Sequence, residues 1–182
     1  MTTEKPALLD MTPQELAEAL VALGEPRFRA AQVHGWLMKG RDVDGMANVS
    51  AATREKLRQN FTLGGVKIIE TRRSVYDETV KYLYALEDGN IVEGVLLSYK
   101  HGHTLCVSTQ VGCRMGCVFC ASTTAGLVRN LTPGEMLGQV IAVNAAHGGG
   151  RQVNNLVLMG SGEPLDNYDN VLKFLRMASS PE

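Results

Sequence analysis

The sequence has no uninterrupted apolar run long enough to cross a bilayer, and its opening MTTEKPALLD lacks the basic patch and apolar core of a secretory leader. The expectation is a chain without a membrane span that works in the cytoplasm. Charge of one sign is also lacking. Eighteen Lys and Arg against nineteen Asp and Glu leave a formal net charge of −1, so overall charge offers no argument for nucleic-acid binding. Any RNA contact must be local. Cysteine is absent outside positions 106–120, and four thiols so close together would staple little of the chain, which favours metal ligation over a disulfide framework. Internal repeats and low-complexity segments are lacking too.

What is present suits one or two soluble domains: 182 residues, 45% of them hydrophobic, can bury a real core. Thr12-Pro13-Gln14-Glu15 is a capping box with proline at the first helical position, and Leu16, Leu20 and Leu23 recur on one face before Gly24. A second helix is expected from Arg27 to Lys39, with Phe28, Val33, Trp36 and Leu37 as its apolar stripe. A third begins near Ser50 and sets Leu57 apart from Arg54, Lys56 and Arg58. These helices predict a small helical domain.

The period then changes from helical to two. Val80, Tyr82, Tyr84 and Leu86 alternate with less apolar neighbours and lead into Asp88-Gly89-Asn90, which predicts a hairpin whose return strand is Ile91 to Tyr99. A further strand is expected from Thr104 to Thr109. Beyond it, Thr132-Pro133-Gly134-Glu135 opens a second capped helix that Gly148 to Gly150 closes. Leu156 to Met159 reads as a buried strand, and Val171 to Met177 as a helix. The strand–helix–strand–helix order predicts a parallel α/β layout with about two βα units, too few to close a barrel.

Cys113-Arg-Met-Gly-Cys117-Val-Phe-Cys120 is a C-x3-C-x2-C pattern in a loop after a strand. Three thiolates on a cubane cluster leave one iron open to a small molecule, as radical chemistry on S-adenosylmethionine (SAM) requires. The alternative is a closed zinc site with Cys106 as fourth ligand, although this spacing is asymmetric for a zinc knuckle. Gly160-Ser161-Gly162-Glu163-Pro164 follows a strand, where α/β folds bind ligands; it also reads as an ordinary glycine-rich turn. On residue chemistry alone Glu93 is a solvated strand carboxylate and Cys106 a small core residue.

The C-x3-C-x2-C segment, with an aromatic before its last cysteine, resembles the signature of the radical SAM superfamily. TLCVSTQVGCRMGCVFCAST, then GLVRNLTPGEMLGQV and LVLMGSGEPLDNYDNV, closely resemble the bacterial dual-specificity 23S rRNA and tRNA adenine carbon-2 methyltransferases. LLDMTPQELAEALVALGEPRFRAAQVHGWL resembles that family's N-terminal helical domain. The resemblance implies an α/β fold with a helical RNA-engaging domain at 1–62, a β linker at 63–100 and, over 101–182, the first βα units of a partial (βα)6 radical SAM barrel.

It implies a [4Fe–4S] cluster on Cys113, Cys117 and Cys120, SAM held by Gly162 and Glu163, and Phe119 against the SAM adenine unless that ring packs in the core. It implies Glu93 as proton acceptor and Cys106 as the thiol that resolves a protein–RNA link, in a disulfide-capable pair with a second, methyl-carrying cysteine. No cysteine follows Cys120, so the expectation is that these 182 residues alone do not methylate. The implied partners are 23S rRNA and tRNA and an electron donor such as flavodoxin, with the protein a monomer. Arg27, Arg29, Lys39, Arg41, Arg72 and Arg73 offer local phosphate contacts, or simply solvated charge. Two readings stand beside this one: a related rRNA adenine carbon-8 methyltransferase of the antibiotic-resistance type, and a non-catalytic metal-stabilised RNA-binding module.

Overall fold

The computed structural model describes residues 5–179. Helix α1, Pro13–Ala22, starts as its sequence predicts: Thr12 Oγ1 accepts from Glu15 N at 3.2 Å while Glu15 Oε2 accepts from Thr12 N at 2.7 Å. Helix α2 is Arg29–Met38, and α3, Ala51–Asn60, begins where Ser50 Oγ accepts from Thr53 N. Leu16, Leu20, Val33, Leu37 and Leu57 bury their apolar faces together. Phe28 departs from the expected stripe. It precedes the first helical residue and is 59% exposed, with the Arg29 guanidinium over its ring at 5.2 Å. Leu8 N and Leu9 N donate to Thr62 O and Leu63 O, which closes the helical unit on itself.

The strands are β1 Lys67–Arg73, β2 Val80–Ala85, β3 Ile91–Tyr99, β4 Gly102–Cys106, β5 Gln110–Gly112, β6 Leu127–Asn130 and β7 Val153–Val157. Five form one sheet in the order β1-β2-β3-β4-β7, while β5 and β6 make a separate antiparallel pair. Helices α4, Pro133–Ala146, and α5, Tyr168–Ala178, pack together after the cysteine segment. The architecture is mixed α/β without a closed barrel, and among the described strands only β4 and β7 pair in parallel. The β2–β3 hairpin has the predicted alternation, with Val80, Tyr82, Tyr84 and Leu86 all buried.

Two strand boundaries differ from expectation. β4 ends at Cys106 rather than Thr109, because Ser108 leaves the ladder and bonds to side chains instead. β7 is Val153–Val157 rather than a buried Leu156–Met159; it pairs only with β4 at the sheet edge, and Met159 beyond it is 80% exposed. Edge position removes the second neighbour that burial on both flanks would need. β1, at the opposite edge, was not foreseen: six of its seven residues are exposed, so no apolar alternation announces it.

Helix α4 is pressed against the helical unit and the start of β1. A Cβ on Gly138 would lie 2.8 Å from the Gly65 Cα, and one on Gly134 would lie 2.7 Å from the Leu9 carbonyl carbon, so only glycine admits this approach. Gly134 N also donates to Asp10 Oδ1 at 2.7 Å.

The α4 N-terminus carries a second capping box, between Thr132 and Glu135, and Arg129 extends it. Its guanidinium grips both oxygens of Glu135 at 2.8 Å, and its Nε donates to Asp88 Oδ2 at 2.6 Å in the hairpin turn. Arg129 holds the Asp88 carboxyl well below the ordinary carboxylate range. A depressed folded-state value means stabilisation that is complete above the unfolded pKa and lost as pH falls below it through the folded value. Asp88→Asn is therefore expected to lower the urea midpoint at about pH 7, and the gap from wild type should shrink steadily below about pH 4. A gap that stays constant into strong acid would assign Asp88 a role that does not depend on its charge.

Candidate metal centre and cofactor loop

Because β4 and β7 are parallel, the segments that follow them leave the sheet at the same end. The segment after β4 carries Cys113, Cys117 and Cys120; the segment after β7 carries the glycine-rich loop. Glu93 reaches this end too. β3 runs antiparallel to β4 with Val95 opposite Cys106, so Glu93, two residues earlier, shares the Cys106 face and lies toward Ser108. The fold thus brings Glu93, Cys106, the base of the cysteine loop and the glycine-rich loop to one end of one sheet.

Ser108 holds this end together. Its Oγ donates to Glu93 O at 2.6 Å and accepts from Ser161 N at 2.8 Å, joining β3 to the glycine-rich loop. Its backbone N–H and carbonyl, released from the ladder, are taken by the buried Gln139 of α4: Oε1 accepts from Ser108 N and Nε2 donates to Ser108 O, each at 3.0 Å. A side-chain amide replaces a strand partner. Next, Thr109 N and Gln110 N donate to Ser161 O at 2.8 and 3.1 Å.

The glycine-rich loop lies flat on this segment. A Cβ on Gly160 would sit 2.6 Å from Ser108 Oγ, and Gly162, at φ +106°, would place one 2.6 Å from the Gln110 Cβ. Both the approach and the backbone angle demand glycine at 162. Glu163 then opens a short 3-10 turn, Pro164–Asn167, where its Oε1 accepts from Leu165 N at 3.0 Å. Asn167, buried, donates to Thr109 O and Leu131 O at 2.8 and 2.9 Å and pins that turn beneath the site.

The cysteine loop spans from β5 to β6. Cys113 is buried, and its N–H donates to Gly126 O at 3.1 Å, which fixes the base of the loop. Cys120 N donates to Cys117 O at 3.1 Å, while Val118 and Phe119 between them are almost wholly exposed. Phe119 is not a core residue. All four cysteines are free thiols, so the disulfide implied by the resemblance has no counterpart here: a partner would need a fifth cysteine.

Among the described residues, no three Cys, His, Asp or Glu side chains converge on a single-ion site. Three free thiols on one loop, with Cys106 in a separate strand, fit a cluster with three protein ligands. The glycine-rich loop beside them carries the Glu163 carboxylate, an acceptor that suits the ammonium group of SAM.

Cys106 is half-buried, and burial pushes its thiol pKa up; a backbone hydrogen bond from Met159 works against that, and the Glu93 charge adds to it. Glu93 pairs with Lys81 of β2 at 2.5 Å. Lys81, Ser108, Gln110, Gln139 and Asn167 were not singled out from the sequence. The signal was there for part of this set: Ser108-Thr109-Gln110 is a polar run where an apolar strand would continue.

Residues 7–63 match the ribosomal RNA large subunit methyltransferase N-terminal domain. Over 176 residues, 96% of the chain, the sequence is 50% identical to a probable dual-specificity RNA methyltransferase RlmN of Caldanaerobacter subterraneus subsp. tengcongensis, covering 51% of that protein. It is 49% identical over 174 residues to the protein of the same description from Clostridium beijerinckii, covering 49% of it. The chain therefore spans about half the length of the curated relatives it matches. A crystal structure of a radical SAM methyltransferase from Sphaerobacter thermophilus superposes with a TM-score of 0.88 at 39% identity, over 96% of this chain and 52% of that one. Residues 7–63 carry that N-terminal domain, and the likeness to RlmN proteins and to the radical SAM methyltransferase extends over 96% of this chain and about half of each of theirs.

Proposed function

We propose that the chain provides the cluster, SAM and proton-acceptor side of a radical SAM methyltransferase acting on carbon 2 of an adenine in 23S rRNA and in tRNA. The observation that carries this is the convergence of Glu93, Cys106, the cysteine loop and the Gly160–Pro164 loop at one end of the sheet. Cys113, Cys117 and Cys120 hold a [4Fe–4S] cluster, and Gly162 with Glu163 takes the amino group of SAM. When both groups are bound they supply radical chemistry. Phe119, held out in solvent, is free to stack on the SAM adenine.

Glu93 accepts the proton that leaves carbon 2, with Lys81 orienting its carboxylate. Cys106 sits on the same face to resolve the protein–RNA link. As parts of this activity, residues 1–62 engage RNA, 63–100 link, and 101–182 form the start of the barrel. The protein acts as a cytoplasmic monomer and takes electrons from a flavodoxin-type donor. No helix among the described residues is long and apolar enough to cross a membrane.

The test has two arms. The chain, reconstituted with iron and sulfide and reduced in the presence of SAM, is expected to release 5′-deoxyadenosine without methylating RNA, since none of its four cysteines is a second, distant methyl carrier. Joined to the remaining half of the Caldanaerobacter relative, it is expected to give carbon-2 methyladenosine in digested 23S rRNA and tRNA by mass spectrometry. Methylation at carbon 8 alone would assign the resistance-type activity instead. RNA binding with zinc, and no 5′-deoxyadenosine, would leave a structural module.

A further inference from the structure

The two loops of the site are joined by a line of side chains. Arg114, directly after Cys113, pairs through its guanidinium with the Asp166 carboxylate on the turn after the glycine-rich loop. The other Asp166 oxygen accepts from Gln110 Nε2 at 3.0 Å, and Gln110 Oε1 accepts from the backbone N–H of Glu163 at 2.9 Å. Gln110 is fully buried, and its Nε2 also donates to Asn130 Oδ1 at 2.8 Å on β6, the far side of the cysteine loop. With both ends of the amide engaged, rotating it would break contacts to three residues at once.

The Arg114 side chain is 64% exposed, whereas that of Asp166 is only 11% exposed. The Arg114 end of the pair is open to solvent, so the pair can be cut there with little disturbance of the core. It places a hydrogen-bonded path from the first cluster cysteine to the backbone of the SAM-binding glutamate.

We propose that Arg114, Asp166 and Gln110 are positioning residues that couple the two loops, so that ordering the cysteine loop on its cluster orders the backbone at Glu163 before SAM arrives. This rests on the radical SAM reading above. Coupling of this kind is reciprocal: SAM held at Glu163 steadies the cysteine loop to the same degree. Gln110 is the rigid centre of the path, and the Arg114–Asp166 pair is the joint that can be cut without emptying the core.

The experiment is amide hydrogen exchange over residues 160–167, with and without the cluster and without SAM, in wild type, Arg114→Lys, Arg114→Gln and Asp166→Asn. Iron and sulfide content is measured on the same samples. In wild type, loading is expected to slow exchange at Glu163 and Leu165 by roughly tenfold. Arg114→Lys, which keeps the charge, should retain most of that protection. Arg114→Gln and Asp166→Asn should load iron and sulfide as wild type does and gain none. Their loaded forms should also bind SAM more weakly, by about fivefold or more. Full protection in Arg114→Gln, with the cluster loaded, would overturn the coupling while leaving the cluster reading intact. A wild type that takes up no iron and sulfide would remove that reading, and the coupling with it.

Discussion

Replacing Cys113 with alanine is expected to abolish the metal centre. After anaerobic reconstitution the wild-type chain should hold about four iron and four sulfide with broad visible absorption, and Cys113→Ala should lose both. Cys113 is the most informative of the three cysteines because it is the buried one, and its N–H is tied to Gly126 O across the base of the loop. Alanine keeps that backbone bond and removes only the sulfur. The substitution therefore separates loss of a ligand from loss of the loop, which the exposed Cys117 does less cleanly. Stoichiometric zinc without sulfide in the wild type would point to a structural module, and a variant that still holds a full cluster would show that Cys113 is not a ligand.

The largest stability effect is expected at a residue that touches neither cofactor. Gln139 is fully buried in α4 and satisfies both backbone groups of Ser108 at 3.0 Å each. Gln139→Leu keeps an apolar filler of similar size but strands a buried donor and a buried acceptor. Each costs roughly 1–3 kcal/mol, so the variant should lose on the order of 2–6 kcal/mol in urea unfolding. That is a large part of the roughly 5–15 kcal/mol by which domains are ordinarily stable. A loss under about 1 kcal/mol would mean that Ser108 finds other partners. The consequence reaches the site, because Ser108 Oγ also bridges Glu93 to Ser161.

Local signals were legible where a short stretch decides its own structure. The Thr12 and Thr132 capping boxes, the alternation from Val80 to Leu86 and the glycines after α4 needed only neighbouring residues to be read. β1 was missed because an edge strand exposed along nearly its whole length has no pattern to betray it. The extent of β7 was misjudged for a related reason: Leu156 to Met159 is apolar in sequence, but burial depends on neighbours that the sheet edge does not supply. Phe28 and Phe119 show the same limit, since an aromatic residue does not say which way its segment will turn it.

By itself the sequence determined the candidate ligands and the chemistry they suit: three thiols at C-x3-C-x2-C, a glycine-rich loop after a strand, and no fifth cysteine among its 182 residues. These are properties of residue type and spacing, and no fold is needed to state them. Only the tertiary structure decided that Glu93 and Cys106 share a face, because that follows from the β3–β4 register. Only it revealed that Gln139 replaces a strand partner for Ser108, and that Arg114, Asp166 and Gln110 connect the two loops. Those bonds join residues 31 to 56 positions apart. At such separations a polar side chain reads as solvated or as buried with equal ease until packing brings its partner to it.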